Sequence, residues 1–118
     1  MIRHHAAGLA GIAAFALLIA VPARADDAAA EATYLSYHRA IVAAESCEKM
    51  EFDQAAHEKM AGVIDEKIHY AIGAGRRLTL IEQVKSETRK LIDDKGCGEP
   101  SVQDALALFH SDLEPALH

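Results

Sequence analysis

Two cysteines, Cys47 and Cys97, constrain this 118-residue chain more than any other feature. Whether they pair depends on the compartment, and the N-terminus bears on that. Met1-Ile-Arg3-His4-His5 is a short basic start, residues 6–21 are an uninterrupted apolar run, and Pro22 follows it. Ala23-Arg24-Ala25 then gives a small-x-small cleavage site ahead of Asp26-Asp27. This is the three-part layout of a secretory signal peptide. The run falls short of the roughly 20 apolar residues that a membrane-spanning helix needs. No twin arginine precedes it and no cysteine follows it to accept lipid. The expectation is therefore export by the general secretory route, removal of residues 1–25, and no stable membrane insertion afterwards. The expected location is the periplasm, with full secretion as the variant.

In an oxidising compartment an even pair of cysteines reads as a disulfide. A Cys47–Cys97 bridge would close a loop of about 50 residues, worth about 4 kcal/mol on the chain-entropy account. That is a large share of the stability of a small domain, about 5–10 kcal/mol. Neither cysteine belongs to a C-x-x-C pair, so a catalytic or metal-bound thiolate is the weaker reading.

Cleavage after Ala25 removes Arg3 and Arg24, which takes the formal net charge from −6 to −8. A chain this acidic lacks the basic footprint that nucleic acid requires. The charge is uneven: residues 26–66 hold ten acids and three bases, and residues 67–96 hold seven bases and four acids. Such asymmetry steers partners more than it sets a fold.

The mature sequence reads as helix throughout. Residues 26–30 are predicted to form a flexible acidic tail, and residues 31–118 a single domain. Tyr34, Tyr37, Ile41, Ala44 and Cys47 recur at helical steps and predict a first helix over about 31–50, with Leu35 and Val42 widening its stripe. Asp53 is the expected N-cap of a second helix reaching about residue 72, with Met60, Ile64, Ile68 and Ile72 inward. If Asp53 does not interrupt the chain, these two helices are one. Gly73-Ala-Gly75 reads as a stop and a flexible link. Thr79 with Glu82 has the form of a capping box opening a third helix, with Leu80, Ile81, Val84, Thr88, Leu91 and Ile92 on one face and Gly96 at its close. Pro100 and Ser101 open a fourth, carrying Val102, Leu106, Phe109 and Leu113, and Pro115 ends it. The predicted fold is all-α: a small four-helix bundle, or three helices with a long first hairpin, tied by one disulfide.

The stretch CEKMEFDQAAHEKM, residues 47–60, is the densest in chemistry-bearing side chains. His57 and Met60 are three apart and share a helix face, and His69 follows on the same predicted helix. A metal site would need further ligands converging from elsewhere, such as His38 or His110. Met60 also falls on the apolar stripe, where a thioether is a natural core filler, so no metal or other cofactor is assigned. Glu66-x-x-His69 is half of a di-iron pattern whose second copy is absent from the sequence. No covalent haem motif, nucleophile elbow, zinc-protease helix or phosphate loop occurs in the sequence, and the chain is expected not to be an enzyme. Arg76-Arg77, beside the glycine link, is the candidate for gripping an anionic group or an acidic partner.

In size, helical content and cysteine separation the chain resembles the periplasmic acid-stress chaperones of the HdeA type. That resemblance is one of architecture and implies a partner- or client-binding role. In strong acid the mature chain carries ten Lys and Arg and five His as cations against neutral carboxyls, and such self-repulsion loosens a compact state. The expected function is thus an exported helical module that binds a protein partner or client without catalysis. The alternative is a periplasmic metal-binding or metal-delivery protein built on His57, Met60 and a second histidine.

Overall fold

The structure is a computed structural model that describes the backbone of residues 10–118 and the side chains of residues 27–118. The whole of the expected leader, cleavage site included, therefore lies outside the residues whose side chains are described. Four α-helices follow one another: α1 (Ala10–Cys47), α2 (Gln54–Ile68), α3 (Ala74–Lys95) and α4 (Pro100–Leu108). A π turn over Phe109–Leu113 and a 3-10 turn over Glu114–Leu117 close the chain. The fold is the all-helical one expected, with Cys47 and Cys97 bridged and their Cα atoms 5.9 Å apart.

Helix α1 continues without a break through residues 26–30, where a flexible tail was expected. Ala28, Ala29 and Ala30 carry the strongest helix propensity of any residue type, which suits continuation from the ordered turns that follow. The helix ends at Cys47, so α1 and α2 are separate. Lys49 turns the chain with a left-handed φ of 57°, and the amides of Glu48 and Met50 both bond the Ala44 carbonyl. Asp53 caps α2 as its position suggested, its carboxylate accepting from the Ala56 amide at 2.8 Å.

Helix α3 begins at Ala74 instead of Thr79, with Gly73 as its N-cap. The Thr79 hydroxyl caps nothing: it donates back to the Gly75 carbonyl at 3.3 Å within the helix. Glycine in a first turn costs only about 1 kcal/mol relative to alanine, and long-range ion pairs described below hold this turn in place. Gly96, with a φ of 84°, ends α3 in a region that only glycine enters freely. Helix α4 opens at Pro100 and is capped by Glu99, with Ser101 inside its first turn. The Glu99 carboxylate accepts from the Ser101 and Val102 amides and from the Ser101 hydroxyl, and Ser101 holds that carboxyl below its usual range.

Helix α1 is the shaft of the assembly, with α2, α3 and α4 each packed against it. Ala40, Ala43 and Ala44 on α1 are fully buried, and their small side chains let neighbouring helices approach closely. Helix α2 runs back along α1, bringing Ile68 and His69 beside Ala29, Ala30 and Thr33. Helix α3 runs in the same direction as α1, its start meeting Glu31 through Arg76 and the residue after its C-cap meeting Cys47. The core joins Tyr34, Tyr37 and Ile41 of α1 with Met60, Ile64 and Ile68 of α2, Leu80 of α3, and Val102, Phe109 and Leu113 beyond. Phe52 in the α1–α2 link stacks on Phe109 with ring centroids 5.6 Å apart. Among the described residues, no helix is long and apolar enough to cross a membrane.

Candidate functional site

The corner where α2 passes into α3 gathers the unusual features of the surface. His69 and Tyr70 both adopt left-handed backbone, with φ of 54° and 57°. The Tyr70 amide bonds the Asp65 carbonyl at 3.0 Å, which satisfies the end of α2. This turn sends Ile72 inward, 7% exposed, and leaves the Tyr70 ring 68% exposed. One turn into α3, Leu78 is 67% exposed. Beside them, Ala29, Ala30 and Thr33 of α1 and Ile68 and Ala71 line a shallow depression.

Arg76 and Arg77 stand at this corner, in the first turn of α3, where two cations oppose the helix dipole. Each is matched by a carboxylate from another helix. Arg76 grips Glu31 of α1 with two hydrogen bonds of 2.8 and 2.7 Å, and this pairing holds the Glu31 carboxyl below its usual range. Arg77 pairs with Asp65 of α2, donates from Nε to the Ile72 carbonyl at 2.7 Å, and lies over the Tyr34 ring, 5.7 Å from its centroid. The arginines expected to grip a partner's anion are thus engaged within the chain. The large hydrophobic side chains turned outward at the corner are Tyr70 and Leu78. The sequence held a faint signal for Tyr70, which falls midway between the inward Ile68 and Ile72. Leu78 carried a misleading one, because it adjoins the apolar stripe of α3.

The second notable place lies beneath the corner. His38 of α1 is partly buried, its ring stacked on Tyr34 with centroids 4.4 Å apart. Burial pushes its imidazole down to about 4, and nearby His57, Arg77 and Lys85 push the same way. Burial also raises the Tyr34 hydroxyl.

The residues considered for a metal are spread along α2. His57 is exposed and meets Phe52 edge-on, with ring centroids 5.9 Å apart. Met60 is completely buried in the core. His69 is exposed at the far end of the helix, about 18 Å from His57 at 1.5 Å per residue. The structure does not bring these three together, and no group of three His, Cys, Asp or Glu able to hold an ion occurs among the described residues. His110 is instead clasped by two carboxylates, with Nε2 2.9 Å from Glu48 and Nδ1 2.8 Å from Glu114. The hydrogen bond to Glu48, then that to Glu114, raises its pKa. Because the carboxylates lie against opposite nitrogens of one ring, they do not converge on a shared point.

No family model matches this chain, and neither a curated protein nor a solved structure does.

Proposed function

We propose that this protein is an exported, non-enzymatic helical module that takes a protein partner at the α2–α3 corner. One observation carries the reading: a tyrosine in the α2–α3 turn and a leucine one turn into α3 are each about two-thirds exposed, on a corner braced by two ion pairs. Tyrosine is the kind of residue that anchors interfaces, offering a large rigid surface and a polar tip at small entropic cost. Its left-handed backbone adds support. A non-glycine residue there costs about 1–2 kcal/mol, and the turn keeps this one while aiming the ring at solvent. The surrounding frame is acidic in α2 and richer in bases in α3, so an approaching partner would be oriented by charge as well as held by the apolar pair.

A photo-crosslinking residue placed at position 70 or 78 in the producing cell tests this directly. The expected result is a discrete adduct with another protein from both positions and none from Gln83, an exposed polar position on α3. Absence of adducts at 70 and 78, or equal labelling at all three positions, overturns the reading.

A further inference from the structure

We infer that Cys97 is the exchange sulfur of the bridge: a small thiol bearing negative charge reaches it through a cationic cleft and joins it in a mixed disulfide, while Cys47 leaves as the thiolate. The two sulfurs are not equivalent. Cys47 ends α1 and packs against the hydrophobic core. Cys97 follows the C-cap of α3 and lines an open cleft of about 490 Å³ with Ser46, Lys49, Arg89, Ile92 and Asp93. Cys47 is not among the residues that line this cleft. Exchange requires a thiolate to reach one sulfur of the bridge directly, so access selects Cys97.

Charge selects the kind of thiol. The cleft is lined by two cations, Lys49 and Arg89, against one carboxylate, Asp93. Lys49 has a local task, donating to the Ser46 carbonyl at 3.0 Å beside the end of α1. Arg89 has no such task. It is exposed, lies ahead of the last turn of α3, and takes part in no ion pair among the described residues, Asp93 included. A cleft with this lining concentrates anions at its mouth. The class that fits is therefore a low-molecular-weight thiol carrying carboxylates, which Lys49 and Arg89 attract while its sulfur meets Cys97.

The step needs no further reactant. The incoming thiolate forms a bond to the Cys97 sulfur, the Cys47–Cys97 bond breaks, and its electron pair leaves on Cys47. One sulfur–sulfur bond replaces another, with no net oxidation. The reverse attack, by Cys47 on the Cys97 sulfur, expels the small thiol and restores the bridge. That return is favoured. The packed helices hold the two residues together, with Cα atoms 5.9 Å apart when bridged, and a thiolate at the carbonyl end of α1 opposes the helix dipole. The adduct is thus a minor species that accumulates only under an excess of thiol. None of this depends on the protein-partner reading of the α2–α3 corner.

The test opens the bridge of the oxidised protein with an excess of glutathione, the anionic probe, or of mercaptoethanol, the neutral one. Samples are quenched in acid at early times, free thiols are alkylated, and the adduct is placed by peptide mass mapping. Each rate is divided by that of the same thiol with hydroxyethyl disulfide. The expected result is a glutathione adduct on Cys97 in about 10-fold excess over Cys47. Arg89→Met should slow opening by glutathione about 3-fold at low salt and leave mercaptoethanol unchanged, the factor a single charge a few ångströms away is worth in water. If Arg89→Met does not fold, a salt series on the wild type replaces it, and added salt should slow glutathione alone. An adduct mainly on Cys47, no adduct at all, or a substitution or salt effect that is absent or equal for both thiols overturns the proposal.

Discussion

Tyr37 on α1 donates a 2.6 Å hydrogen bond to the carboxylate of Asp112, 75 residues later, and so ties the central helix to the closing π turn. The phenol is pushed up to about 12, by burial first and then by the carboxylate. The same bond pulls the Asp112 carboxyl down, with Ser111 assisting. Tyr37→Phe is expected to cost about 1 kcal/mol, in the range of a single hydrogen bond to a charged group at a partly solvated site. The effect should depend on pH. A carboxylate whose folded value is depressed contributes stability that is present above its ordinary value and lost as pH falls through the folded one. Urea midpoints of the two proteins should therefore differ at neutral pH and converge in strong acid, and a difference that survives there would mean that packing, not the hydrogen bond, sets the cost.

The adjacent arginines should behave unequally. Arg76 is half exposed, and its pair with Glu31 is a surface pair of the kind that contributes little to stability. Arg77 is 24% exposed against an Asp65 that is 22% exposed, and its loss also strands the Ile72 carbonyl and uncovers Tyr34. Arg77→Met is expected to cost about 2 kcal/mol, several times the cost of Arg76→Met. Chemical denaturation of both variants gives the comparison, and equal losses would contradict it.

Thr88 is 1% exposed on the inner face of α3, and its hydroxyl has no hydrogen-bond partner. Thr88→Val keeps the shape and removes the stranded group, so it should stabilise the protein by about 1 kcal/mol. The reading is a urea midpoint that moves up with an unchanged slope.

Replacing Cys47 and Cys97 together by serine should cost about 4 kcal/mol, because the bridge spans a separation of 50 residues. Thermal melts of the oxidised and the serine proteins measure this. A loss below about 1 kcal/mol would mean that the reduced chain keeps most of its order without the bridge.

The apolar stripes were legible because burial repeats with the helix. Tyr34, Tyr37, Ile41 and Ala44 are buried as their spacing required, as are Met60, Ile64 and Ile68, and Val102, Leu106, Phe109 and Leu113. The cap at Asp53 was legible for the same reason, being a local contact three residues long. The start of α3 was hidden because its support is not local. Two glycines and two arginines read as a loose link until Glu31 and Asp65 arrive from other helices to balance the charge. The cap of α4 was not legible, because it is Glu99, whose carboxylate takes the Ser101 and Val102 amides together with the Ser101 hydroxyl and so leaves Ser101 inside the first turn. His38 carried no motif at all. Its setting is made by three side chains 19 to 47 residues away along the chain, and a single sequence holds no mark of such a meeting.

The bridge between Cys47 and Cys97 also divides the molecule by covalent topology. All of α2 and α3 lie inside the closed ring, while α4 and the closing turns hang outside it. A protease that cuts the exposed turn at Tyr70 would open the ring without separating the pieces, leaving one molecule of nearly unchanged mass that falls into two fragments only when a reductant is added. In an environment that both oxidises and degrades, the chain would carry its injury without losing a part.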